Sequence, residues 1–104
     1  IQYNRKECEN RYADIARVLK LEGKSDSELT NSLINKIREF NVALNIPATM
    51  KEYGITEVDF LANVKHIAHN AVLDACTGSN PRTIDDETME KLLSCTFYGS
   101  EVKL

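Results

Sequence analysis

His66 and His69 are the first residues in this chain whose types and spacing could do chemistry. At i, i+3 on a helix, two side chains share a face, and imidazole is a common metal ligand. Asp74 follows about a turn later and could add a carboxylate, but the helical rotation carries it to a different face from His69. A catalytic zinc or iron site needs three or more convergent ligands, themselves held by hydrogen bonds. A loose histidine pair falls short of that, so the spacing predicts two surface or half-buried histidines without a metal.

Cys76 is the stronger candidate. It closes a helical pattern and opens Thr77-Gly78-Ser79-Asn80-Pro81, the one dense cluster of turn formers in the chain. Helix ends beside such loops are places where a side chain can face a cleft. No activating base lies near it in sequence, so nothing marks it as a nucleophile. On composition alone it reads as a buried packing cysteine of the ordinary kind. Arg82 has two readings. Its guanidinium could cap helix C-terminal carbonyls, or pair with an acidic group on another domain. The run Asp85-Asp86-Glu87 sits at a predicted helix start, where the helix dipole accounts for it without acid–base catalysis.

The elements that must position these residues read as helices throughout. Cys8, Tyr12, Ile15, Ala16 and Leu19 form an apolar stripe, with Gly23 as the expected stop. Ser25 and Glu28 form a capping box ahead of Leu29, Leu33, Ile37, Phe40 and Leu44, which keep helical spacing until Pro47. Thr49 and Glu52 form a second box on a helix that Gly54 limits to about a turn. Thr56 to Asp59 marks a third start. The helix beyond it carries two apolar rows, one of Phe60, Val64, Ile67 and Ala71, the other of Val58, Leu61, Ala62, Ala68 and Val72. So wide an apolar surface predicts a central helix packed on more than one side. Thr83 or Asp85 caps a last helix that Gly99 ends. No segment alternates with period two, so the fold class is all-α, an irregular multi-helix bundle with short loops.

Bulk properties exclude several functions. The chain has 104 residues, a net charge of −3 and 13 basic residues without a basic block. The electrostatic footprint of a nucleic-acid binder is missing. Apolar runs are too short for a transmembrane helix, and no signal peptide is visible. Three scattered cysteines form neither a disulfide framework nor a CxxC motif, which points to reduced thiols and a cytoplasmic setting. There is no GxGxxG, P-loop or GxSxG pattern to hold phosphates or present a serine nucleophile.

The order of four segments carries a resemblance. Arg11-Tyr12-Ala13-Asp14-Ile15-Ala16 comes first, then Phe60-Leu61-Ala62-Asn63-Val64, then Asp74-Ala75-Cys76-Thr77-Gly78-Ser79-Asn80-Pro81-Arg82, and a final run closes in Phe97-Tyr98-Gly99. Essentially end to end, this resembles the C-terminal part of the iron-containing alcohol dehydrogenases. That group includes lactaldehyde reductases, propanediol dehydrogenases and the alcohol dehydrogenase half of aldehyde–alcohol dehydrogenases. The resemblance implies a dehydroquinate synthase-like C-terminal helical domain. Residues 1–104 would then be a single domain, a fragment of a larger two-domain dehydrogenase. In such enzymes an N-terminal α/β domain binds NAD(P), and the cleft between domains holds Fe2+ or Zn2+ and the alcohol or aldehyde. The family's Asp and three His ligands belong to segments before Ile1, and Tyr3-Asn4 resembles the end of the helix after the last ligand. No catalytic, metal-binding or cofactor-binding residue is therefore expected within the fragment, which would be inactive alone. Cys76 is expected to line the substrate pocket, with the N-terminal domain of the same chain as partner. The fragment, parted from that domain, could self-associate. The rival reading is a stand-alone helical interaction module, supported by the two-sided apolar helix.

Overall fold

A computed structural model describes residues 1–104. It is all-helical, with α1 (Arg5–Val18), α2 (Asp26–Ala43), α3 (Met50–Tyr53), α4 (Glu57–Leu73), a 3-10 turn (Thr77–Ser79) and α5 (Asp86–Tyr98). The helices form two compact units, Ile1–Ile46 and Pro47–Leu104.

In the first unit, Ala13 and Ala16 of α1 pack against Leu29 and Leu33 of α2, flanked by Ile1, Tyr12 and Leu21. The expected α1 stripe is therefore rotated. Ile15 and Leu19 are exposed, and Ala13 takes the core position instead. Alanines at the contact let the α2 leucines approach the α1 backbone closely. Thr30 of α2 is fully buried there, and its hydroxyl donates to the Glu9 carbonyl at 3.3 Å. Cys8 is buried as predicted, at a point where α1 departs from helical dihedrals (φ −146°, ψ 35°). The apolar stripe of α2 runs past the end of its cover: Phe40 is 51% and Leu44 69% exposed.

Helix starts follow the predicted chemistry with one shift. Ser25 Oγ accepts the Glu28 N–H at 3.2 Å, and Thr49 Oγ1 accepts the Glu52 N–H at 3.0 Å. The glutamates reach back one residue beyond the cap, Glu28 to the Lys24 N–H at 2.7 Å and Glu52 to the Ala48 N–H at 3.0 Å. Thr56 and Asp85 cap α4 and α5 by accepting the Asp59 and Thr88 N–H groups.

Helix ends correct the role of Gly23. Helix α1 ends at Val18, and Lys20 takes the left-handed conformation (φ 56°) expected of a glycine. The Leu21 N–H bonds the Ala16 carbonyl at 2.9 Å and the Lys20 N–H the Arg17 carbonyl at 3.0 Å, a Schellman end. Asn45 (φ 55°) closes α2 in the same way. Gly23 serves a close approach: a Cβ there would lie 2.8 Å from the Leu29 backbone nitrogen.

In the second unit the Phe60 and Phe97 rings stack with centroids 4.3 Å apart, and Tyr98 meets Phe97 edge-on at 4.9 Å. Val64, Met50 and Leu93 complete this core. The Tyr98 hydroxyl donates to the Glu57 carboxylate, and this bond raises the tyrosine pKa. The two-sided packing predicted for α4 is not present. Of its second row only Ala68 is buried, while Val58 is 78% and Leu61 59% exposed. Lys65 and His69 fall within that second face and keep it hydrated, whereas the stacked rings fill the first.

Two stability experiments follow from these ends and caps. Gly23→Ala should lower stability by about 1–3 kcal/mol through overpacking against Leu29. Lys20→Gly should raise it by up to about 1 kcal/mol by relieving the left-handed backbone. Urea denaturation of both variants checks the signs, and the reverse pair would restore Gly23 as the helix stop. The Thr88 hydroxyl and N–H hold the Asp85 carboxyl below its ordinary value of 3.8. A depressed carboxyl contributes stability above its unfolded pKa and loses it as pH falls through the folded value. The difference in melting temperature between wild type and Asp85→Ala should therefore narrow between about pH 5 and pH 2.

Candidate functional site

The segment from Asp74 to Arg82 is built by short-range hydrogen bonds at the end of α4. Asp74 turns the chain out of the helix in an extended conformation (φ −63°, ψ 133°). Its Oδ1 accepts the Cys76 N–H at 2.8 Å, and its carbonyl accepts the Thr77 N–H at 3.0 Å. The Thr77 hydroxyl reaches back to the Ala71 carbonyl at 2.6 Å, tying the loop to the last turn of the helix. Ser79 donates both its N–H (3.1 Å) and its hydroxyl (2.7 Å) to the Cys76 carbonyl. The Asn80 amide donates to the Arg82 carbonyl, bracing the loop around Pro81.

Cys76 itself is exposed. Among the three cysteines of this chain Cys8 is the buried one. The 3-10 turn begins directly after Cys76. Arg82 Nη1 donates to the Leu104 carbonyl at 3.0 Å, joining the loop to the C-terminal segment.

The histidines do not converge. His69 Nδ1 lies 2.8 Å from Asp86 Oδ2, linking α4 to the first turn of α5, and His66 Nε2 lies 3.1 Å from the Asn70 amide nitrogen. Asp74 is engaged with Cys76 instead. No group of three or more His, Cys, Asp or Glu side chains gathers anywhere in the chain. The acidic run at α5 divides its work between the cap, Asp85, and the His69 partner, Asp86. That second role had no local signal, because the two residues are 17 positions apart. The positions of Asp74 and Ser79 around Cys76 were also invisible as roles, although both residues stand within two or three positions of it.

Residues 1–97 match the family described as Fe-containing alcohol dehydrogenase, C-terminal. The chain belongs to that family. It is 46% identical to an NADPH-dependent butanol dehydrogenase of Clostridium saccharobutylicum, over 98% of this chain and 26% of the relative. It is 43% identical to an aldehyde-alcohol dehydrogenase of Clostridium acetobutylicum, over 82% of this chain and 10% of the relative. It is 34% identical to the lactaldehyde reductase of Escherichia coli (strain K12), over 83% of this chain and 22% of the relative. The chain thus spans between about a tenth and about a quarter of these relatives' lengths. Iron enters through the family name, and the residues of this chain do not fit it: the histidines are paired singly with Asp86 and Asn70, and no third ligand joins them.

Metal analysis after dialysis should accordingly find no stoichiometric iron or zinc on the 104-residue chain. About one ion per chain, lost when His66 and His69 are both replaced by Ala, would establish a chelate that two side chains alone should not support.

Proposed function

We propose that this chain is the C-terminal helical domain of an iron-dependent, NAD(P)-linked alcohol dehydrogenase that interconverts an alcohol and an aldehyde or ketone. The observation that carries this reading is the match of residues 1–97 to the C-terminal region of the family. Relatives several times longer than their shared region support a parent with further domains. In this reading residues 1–104 work as one domain, and the partner is the N-terminal nucleotide-binding domain of the same protein. Iron and the dinucleotide belong to that remainder. The setting is the cytoplasm; no helix of this chain is long and apolar enough to cross a membrane.

The role of the chain is to wall the substrate cleft. Cys76 and the loop after it form the lining, presenting a small, soft side chain to the alkyl part of the substrate. An exposed thiol at the mouth of a braced loop supports that role. Arg82 is the residue of this loop that a carboxylate on the other domain would meet. None of these groups needs to exchange a proton or form a bond with the substrate, since hydride transfer is the cofactor's chemistry.

The test compares two proteins. The full-length enzyme should reduce butyraldehyde with NADPH or NADH, and the purified 104-residue chain should give no rate above background. Turnover by the short chain would overturn the division of labour. No turnover by the full-length protein with any alcohol or aldehyde would overturn the activity.

Each unit has open apolar residues that water covers poorly, Phe40 and Leu44 in the first, Val58 and Leu61 in the second. Sedimentation equilibrium of the separate chain should show its weight-average mass rising with concentration. A strict monomer at high concentration would count against the reading that these residues normally meet a partner. The same residues are what a free-standing interaction module would use, and selective binding of an amphipathic helix by the short chain would favour that second reading.

A further inference from the structure

We infer that the second half of α2 carries a seam for one more helix, and that its occupant is the stretch of the parent protein directly before Ile1. The inference rests on the reading that this chain is the C-terminal part of a longer dehydrogenase, and it names the segment of that protein which covers this face. Leu33, Ile37, Phe40 and Leu44 recur at intervals of four, three and four residues. That spacing sets side chains in one narrow row for a helix to pack against. Exposure climbs along the row, from 5% at Leu33 to 41% at Ile37, 51% at Phe40 and 69% at Leu44. The charged Arg38 and Glu39 lie off it, on the other sides of the helix.

The cover thins because α1 runs out. The two helices are antiparallel: Arg17 near the end of α1 pairs with Asp26 at the start of α2, the Thr30 hydroxyl meets the Glu9 carbonyl, and Arg5 at the start of α1 bonds Asn31. Ile1 still packs against the cluster that holds Leu33. Helix α2 then continues for about ten residues past Leu33, roughly 15 Å at the helical rise. Chain that carries α1 backwards from Ile1 runs along that length. The relatives have chain to place there: the shared region is 26% of the butanol dehydrogenase, and the family is described as the C-terminal part.

The first turn of α1 is built as a continuation. Helices α2, α3, α4 and α5 each open on an extended residue whose side chain accepts a backbone N–H. Helix α1 has no such cap. Asn4 is itself helical (φ −82°, ψ −11°), and the Arg5 N–H already donates to the Ile1 carbonyl at 3.0 Å. A helix start needs a capping group for its free N–H donors, whereas a helix arriving from upstream supplies carbonyls for them. A second copy of the chain could also meet an apolar row, but it gives no account of the uncapped turn.

The test places the photo-crosslinker p-benzoylphenylalanine at position 40 of the full-length enzyme, with position 42, on the opposite side of α2, as control. Cross-linked tryptic peptides are mapped by mass spectrometry. From position 40 the bond should form within the same polypeptide, to a residue about ten positions or fewer before Ile1. Position 42 should leave that segment unlabelled. Should the variant at position 40 fail to fold, as its melting temperature reports, position 44 replaces it under the same criteria. A cross-link joining two polypeptides puts a second copy on the row and overturns the inference. So does a cross-link only to a distant part of the sequence, equal labelling from position 42, or no product. Butyraldehyde reduction by the unmodified enzyme is measured alongside. The expected cross-link without turnover removes the proposed activity and leaves the seam; turnover without that cross-link removes the seam alone.

Discussion

The stack of Phe60 on Phe97 is the contact on which the second unit depends. Phe97 is fully buried, and the residues beside it extend the same contact in two directions. Tyr98 reaches the Glu57 carboxylate at the start of α4, while Gly99 turns left-handed with Thr49 so near that a Cβ would lie 2.9 Å from its methyl group. Aromatic pairs of this kind contribute about 0.5–1.5 kcal/mol beyond the area they bury. Their larger effect here is on direction. The pairs Glu57–Tyr98, Phe60–Phe97 and His69–Asp86 run in opposite senses along the two helices, so α4 and α5 are antiparallel. The loop that carries Cys76 spans the end of that pair, and both of its roots are held.

The helices were legible because their signals are local. Ser25, Thr49, Thr56 and Asp85 cap as their spacing predicts, since a capping side chain needs only the backbone a turn ahead of it. The end of α1 was not legible, because a left-handed Lys20 violates the preference that makes glycine the expected stop. Its strain is tolerated where the Leu21 and Lys20 N–H groups find carbonyl partners. The faces of the helices were half legible. Periodicity marks which residues are apolar along α2 and α4, but the length of the packing partner decides how many are covered.

The site divides in the same manner. Cys76 stood out through its turn-forming neighbours. What held the loop in shape was hidden in residues whose types have several ordinary uses, such as Asp74 and Ser79. His66 and His69 attracted attention by type alone. Their partners, an amide on the next turn and a carboxylate on another helix, could be found only in three dimensions. The informative residues of this chain are accordingly hydrogen-bonding loop residues more than titratable ones.

Each helix packs chiefly on one near it along the chain, α1 on α2 and α3 and α4 on α5, within units split at Ile46 and Pro47. The contacts that define each core therefore stay within one unit, which bounds the loop that must close before they form. Topologies of such low contact order fold in microseconds to milliseconds. Either unit can gather its own core as soon as its two long helices have left the ribosome, without waiting for strands or helices from a distant part of the protein.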